Sequence, residues 1–238
     1  MTGSLQGRTV LVVGRGSGIA RAVVTAARAA GADVIAAGRD AEKLAAAYDD
    51  PGISVETVDV TDDASIAALA RRLDGIDHVV CTASARARGR LEDLDRDKVR
   101  QSLDTKVIGP LMLAKHLAPT LREGGSFVIF SGEAAFKITV GTLAVAITNG
   151  AADTLTRSLA VELAPIRVNA ISPGTIDTGA WDALGAEGKA KLYEHVGETN
   201  PARRIGTSDD IAGAVVFCLT SSFLTGVTLK VDGGQEPV

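Results

Sequence analysis

Three glycines and a few charged side chains carry the chemistry this sequence offers. Over residues 10–30, VLVVGRGSGIARAVVTAARAA, β-branched residues run into Gly14, Gly16 and Gly18 and then into an alanine-rich stretch. Glycine lets a backbone turn sharply and approach a ligand, and the free N–H groups that open a following helix stabilise an anion. The spacing reads Gly14-xxx-Gly18-x-Ala20 rather than G-x-G-x-x-G, because Ile19 holds the final glycine position. Alone, it suits either a dinucleotide-binding loop, with Arg15 and Ser17 inside it, or an ordinary strand-to-helix turn. About two dozen residues on, an NAD site wants a carboxylate for the ribose hydroxyls. The chain has Gly38-Arg39 there. A guanidinium pairs with a 2′-phosphate and stacks on adenine, and Arg15 adds a second charge, so the pattern points to NADP(H) over NAD(H). The competing reading leaves Arg39 in solvent and gives the ribose to Asp40.

Composition limits the alternatives. The chain has 238 residues, 46% of them hydrophobic, which suits one α/β domain spanning residues 1–238 with a substantial core. A net charge of -4 and 3% aromatic residues argue against a nucleic-acid surface and base-stacking platforms. Cys81 and Cys218 form no CxxC motif, and His78, His116 and His195 lie far apart, so no metal site is expected. The N-terminal MTGSLQGRTV has no apolar signal region, and no apolar run approaches the ~20 residues of a membrane span. These features predict a soluble protein of a reducing cytoplasm.

The elements that must position these residues alternate along the chain. Strands are expected at residues 9–13, 33–37, 54–58, 78–81, 127–130, 167–171 and 227–231. Helices are expected at 19–30, 41–48, 63–73, 95–121 (bent or ended near Pro110 and Pro119), 142–163 and 208–220, the last capped by Ser208 with Asp210 nearby. Residues 175–206 read as irregular, with short helices, and contain Trp181, Tyr193 and His195. Such alternation gives a doubly wound, Rossmann-type α/β fold with a seven-stranded, mostly parallel sheet covered on both faces. Gly14, Gly38, Asp59, Thr82, Ser131 and Pro173 then fall at strand carboxyl ends and line one crevice.

These motifs resemble the short-chain dehydrogenase/reductase family over essentially the full length. The matching pieces are the glycine loop, Asp59-Val60, Ala-Val-Glu-Leu-Ala-Pro at 160–165, Ile166-Arg167-Val168-Asn169, Ser172-Pro173-Gly174 and Val231-Asp232-Gly233-Gly234. The resemblance implies that Asp59 holds the adenine amino group. It implies that Thr82, Ala83 and Ser84 flank the cofactor, and that Pro173, Gly174, Ile176 and Thr178 belong to the segment holding the nicotinamide carboxamide. It also implies a homo-oligomer, dimer or tetramer, with residues 175–206 covering the substrate.

The family's chemistry rests on Tyr-x-x-x-Lys with a serine and an asparagine. Residue by residue, Val145 stands at the tyrosine position, Asn149 at the lysine, Gly132 at the serine with Ser131 beside it, and Lys106 at the asparagine. No Tyr-x-x-x-Lys occurs anywhere in the chain. A placed general acid contributes about 10² to 10⁴ in rate, so ordinary ketone reduction is not expected. Lys106 is the expected replacement charge: it would hold the nicotinamide ribose, donate a proton or bind a carboxylate, with Glu133 as its ion partner. The alternative is that it extends to solvent. Cys81 reads as a small core residue, and Arg86, Arg88 and Arg90 as a solvated loop or a guide for an anionic substrate. Three functions stay open: reduction of an imine or enone, a non-catalytic NADP(H) sensor or scaffold, and a lyase or isomerase using Lys106 and Glu133.

Overall fold

The computed structural model describes residues 4–179 and 181–235. The tips of the expected domain, 1–3 and 236–238, and residue 180 in the expected covering segment lie outside them. The run TVLVV forms β1 (Thr9–Val13), buried at four of its five residues. Alternate side chains of a strand face opposite ways. Val10 and Val12 therefore enter one core, with Val24, Ile171 and Ile211, while Leu11 and Val13 enter the other, with Ile66, Leu117 and Phe127. Burying each such large side chain contributes about 1.5–3 kcal/mol. A strand packed on both faces must be apolar throughout, as this one is.

The first half continues through α1 (Gly18–Ala29), β2 (Asp33–Gly38), α2 (Ala41–Ala47), β3 (Ile53–Thr57), α3 (Asp63–Arg72) and β4 (Ile76–Cys81). The second half holds α4 (Arg96–Leu103), α5 (Gly109–Leu117), β5 (Leu121–Phe130), α6 (Leu143–Glu162) and β6 (Arg167–Pro173). It ends with β7 (Ile176–Asp177), α7 (Gly185–Thr199), β8 (Gly206–Thr207), α8 (Ser208–Thr220) and β9 (Thr228–Val231). Seven strands form one sheet in the order β3-β2-β1-β4-β5-β6-β9, and every pairing is parallel. β7 and β8 pair separately. Chain direction across the sheet reverses between β1 and β4, which opens a crevice at their carboxyl ends.

Four local expectations are corrected. The helix expected over 95–121 is broken by a π-helical turn, Asp104–Ile108, ahead of Pro110, which merely starts α5. β5 begins at Leu121 rather than 127, because the chain extends straight from the short helical turn Ala118–Thr120. The stretch 175–206 is mainly the 15-residue α7. The last helix is capped by Thr207, not Ser208: Thr207 accepts from the Asp210 N–H while the Asp210 carboxylate accepts from the Thr207 N–H.

The amino-terminal edge of the sheet is fixed by a buried carboxylate. Asp77, its side chain 2% exposed, accepts from Arg8 Nη1 at 2.7 Å, the Thr9 N–H at 2.8 Å and Arg122 Nη1 at 3.0 Å. Burial alone would raise its pKa; the three donors outweigh it and hold the carboxyl below its ordinary value. A carboxyl with a depressed folded pKa stabilises the protein above the unfolded pKa and loses that contribution as pH falls through the folded one. Asp77→Asn should therefore lower stability by about 1–3 kcal/mol near neutral pH. In urea denaturation the gap to wild type should close as pH falls below about 4. A gap independent of pH would refute the charge-based account.

Candidate active site

The carboxyl ends of β1, β2, β4, β5 and β6 open on one cleft of about 1900 Å³. Residues 14–19, Arg39, Asp59, Val60, residues 82–84, Pro173, Gly174, Ile176 and Thr178 all line it. So do Lys106, Ser131, Gly132, Glu133, Val145 and Asn149. Elements far apart in sequence thus bring the expected cofactor residues, Lys106 and the positions around it to one place. Among the described residues no cluster of metal-ligating side chains occurs, and no helix is long and apolar enough to cross a membrane.

One end of the cleft is built for an anion. α1 starts at Gly18, with no acidic residue in its first turn and no side-chain bond from its cap, Ser17. Its first N–H groups are left for a ligand. A Cβ on Gly14 would lie 2.1 Å from Thr82 Oγ1, so only glycine lets this loop close on β4. Arg15 and Arg39 are exposed and make no hydrogen bond or ion pair among the described residues. Asp40 is engaged elsewhere: it accepts from the Lys43 N–H as the cap of α2 and pairs with the Lys43 ammonium at 2.9 Å. Asp59 accepts from the Thr61 N–H at 2.9 Å and the Thr61 hydroxyl at 2.7 Å. The Thr61 backbone bond first, then its hydroxyl and the Arg39 charge, hold the Asp59 carboxyl below its ordinary range, against a smaller opposing effect of burial. Further in, Ser84 Oγ is buried without a hydrogen-bond partner. An orphaned hydroxyl in a cleft, glycines that keep its loop open and a bare helix terminus together fit a dinucleotide with its diphosphate at α1.

The other end centres on Lys106. The π-helical turn carries it, and such turns often mark functional sites. Gly109 makes the placement possible: a Cβ there would lie 2.8 Å from Val60 O. Lys106 is 7% exposed, which excludes extension to solvent. Its Nζ donates to Ser131 O at 2.8 Å and to Asn149 Oδ1. Glu133 is not its partner; no ion pair joins them, because the ammonium already lies between the end of β5 and α6. Burial first, then repulsion from Arg86, lower the Lys106 pKa to about 7, with Asp153 opposing. Burial raises the Glu133 carboxyl above its ordinary value, Asp232 adds to this, and Lys137 and Arg88 oppose it. Ser131 Oγ donates to the Asn149 carbonyl at 3.1 Å. Val145 and Asn149 are 6% and 2% exposed on α6.

The remaining candidates divide. Cys81 is buried, and burial pushes its thiol up to about 11, so it packs rather than reacts. Tyr193 donates to Asp177 Oδ1 at 2.6 Å and stays outside the cleft lining, whereas Trp181 lines the cleft and donates to Ile176 O at 3.0 Å. Arg86 and Arg88 line the cleft; Arg90 does not. Sequence reasoning missed Gln235, whose side chain accepts from the Thr175 N–H at 3.2 Å and whose carbonyl accepts from Lys137 Nζ at 3.0 Å. Its only signal was its place after Asp232-Gly233-Gly234.

Known proteins share this arrangement. A family model described as enoyl-(acyl carrier protein) reductase matches residues 13–236. A 2-keto-3-deoxy-L-fuconate dehydrogenase of Xanthomonas campestris is 32% identical over 97% of this chain and 80% of that protein. The short-chain dehydrogenase/reductase ucsE of Acremonium sp. is 31% identical over 67% of this chain, an alignment spanning 62% of that protein's length. A crystal structure of a small-chain dehydrogenase in complex with NADPH superposes with a TM-score of 0.83 at 29% identity, covering 97% of this chain and 99% of that one. With the parallel sheet, the glycine loop and the cleft at the strand ends, these likenesses show that the chain belongs to the short-chain dehydrogenase/reductase family of oxidoreductases.

Proposed function

We propose that this chain is an NADP(H)-dependent oxidoreductase, atypical for its family, that reduces an imine or enone without a tyrosine acid. The observation that carries this reading is Lys106: a buried ammonium with a pKa near neutrality, in the wall of the cleft that also holds Val145 and Asn149. The dinucleotide would supply a hydride. An iminium substrate becomes a neutral amine and leaves no oxyanion to protonate, so the absence of a tyrosine costs it little. A conjugated carbonyl substrate gathers negative charge on its oxygen instead. Two of the three Lys106 N–H groups are engaged by Ser131 and Asn149; the third is available to that oxygen. The description of the matching family model, an enoyl reductase, suits the same bond class.

NADP(H) is favoured over NAD(H) by two unpaired guanidiniums, Arg15 and Arg39, at the end where Asp40 is occupied as a cap. The likeness to a protein bound to NADPH agrees. We assign residues 14–19, Arg39, Asp59, Val60, residues 82–84, Pro173, Gly174, Ile176 and Thr178 to the cofactor, and Lys106 to the substrate, with Ser131 and Glu133 beside it. Residues 175–206 serve as the covering segment. A homo-oligomer, dimer or tetramer, is supported by exposed apolar side chains such as Phe223, Val161, Phe217 and Ile147. A cytoplasmic setting suits two buried free thiols. One observation favours a second reading, a non-catalytic NADP(H) sensor or scaffold: both bonds of Lys106 go to the protein itself, as a structural clamp requires.

Four outcomes are expected. NADPH at ~100 times its dissociation constant should stabilise the protein by about 2.7 kcal/mol in thermal denaturation. Arg39→Ala should weaken NADPH ~10- to 100-fold and leave NADH unchanged; equal loss for both would reject the 2′-phosphate assignment. Enone reduction should require the ammonium, so kcat/KM should fall as pH rises through about 7. That fall should vanish in Lys106→Met, while iminium turnover persists and shows the variant to be folded. NADPH binding without turnover of any imine or enone would support the sensor instead. Light scattering should give a mass of two or four chains; a monomer would reject the oligomer.

A further inference from the structure

We propose that the substrate carries a carboxylate, held by Arg86 and Arg88 beside Lys106; this rests on the cleft being the reaction site. The loop after β4 is fixed in place. Ala85 O accepts from Ser102 Oγ at 2.8 Å, and the Gly89 N–H donates to Gly141 O at 3.1 Å. Ala87 is 2% exposed, anchored in the protein, while its neighbours Arg86 and Arg88 are exposed and line the cleft. The Arg88 guanidinium lies over the Trp181 ring, 5.7 Å from its centre, at the wall where the covering segment begins.

The two guanidiniums lack a close counter-charge, as Arg15 and Arg39 do at the other end of the cleft. Arg28, Arg72, Arg122 and Arg204 each pair with a carboxylate within 4 Å. Arg86 and Arg88 pair with none among the described residues, and Lys106 is held by a carbonyl and an amide oxygen. The three cations line one cleft; burial first, then the like charge of a neighbouring arginine, lowers the pKa of Lys106 and of Arg86. Asp104, two residues before Lys106, lines the same cleft, as do Asp97 and Glu133. None forms an ion pair with the three cations: Asp97 lies 3.9 Å from Arg100 instead, and burial raises the Glu133 carboxyl above its ordinary value. Asp153 lies on α6 and donates nothing to the cleft; it accepts from Thr228 Oγ1 at 2.9 Å. In a chain of net charge -4, such a group repels itself until an anion enters. A carboxylate fits because its two oxygens match the paired N–H groups of a guanidinium.

Benzoate and benzamide test this directly. They share size and shape, differ in charge, and neither is a substrate for hydride addition at an isolated double bond. Calorimetric titration should show benzoate binding at least ~10-fold tighter than benzamide, as charge-assisted hydrogen bonds require. Arg86→Gln should abolish the preference. Benzoate should also draw a proton onto Lys106 near neutral pH, seen as buffer-dependent heat that Lys106→Met removes, and benzamide should not. Equal binding of the pair, binding by neither at millimolar concentration, or a preference unchanged in Arg86→Gln would overturn the proposal. The titration is run with and without NADPH. Failure to bind NADPH would overturn the cofactor reading alone, because the preference measured in the dinucleotide-free protein still decides the carboxylate site.

Discussion

A single buried ammonium joins three elements at the floor of the cleft. Lys106 enters from the π-helical turn, and its acceptors come from the end of β5 and from α6. Removing an ammonium from water costs several kcal/mol, which neutral acceptors offset only in part. Its pKa near neutrality is the visible remainder of that cost. The surroundings are shaped to tolerate it. Asn149 occupies the space beside Gly132 so closely that a Cβ on Gly132 would lie 2.8 Å from Asn149 Nδ2. A serine cannot be placed there without moving the amide that holds Lys106. The identities of residues 106, 132 and 149 therefore depend on one another.

The two ends of the cleft obey different electrostatics. At the α1 end the charges are exposed: Arg15 and Arg39 stand in water, where a guanidinium is stable with or without a ligand. Binding there gains its strength from hydrogen bonds and the helix terminus rather than from relief of strain. At the Lys106 end the charge is enclosed, and its protonation depends on what lies beside it. The first end can select a ligand without changing state. At the second, burial ties the protonation of Lys106 to the charge around it.

Much of this was legible in the sequence because it depends on local pattern. β1, α1 and the glycine loop follow from a buried run, three glycines and an alanine-rich stretch, and the sheet follows from alternation along the chain. The gathering of Gly14, Asp59, Thr82, Ser131 and Pro173 followed in turn from the rule that parallel strands share one carboxyl edge. What escaped were features set by tertiary contact. The break at Asp104–Ile108 needed the close approach of Gly109 to Val60, since the visible breakers, Pro110 and Pro119, both lie beyond it. Glu133 was a reasonable partner for Lys106 by adjacency, yet the acceptor was Asn149 across the cleft. Thr207 rather than Ser208 capped α8 because a capping box is decided by which residue has the extended backbone, and both side chains qualify by type.

The remaining step concerns how Lys106 would take part in a reduction. Its pKa near 7 means that a modest change in nearby charge decides whether it holds a proton. An anion in the cleft favours the ammonium, and new positive charge favours its loss. A reduction consumes a hydride, which a bound dinucleotide would supply, and a proton. A substrate carboxylate and Asp153 would keep Lys106 charged against the repulsion of Arg86, ready to give that proton to an enolate. Burial, which makes Lys106 costly as a structural clamp, is also what makes it responsive: an exposed lysine would keep its proton through the same change, screened by water.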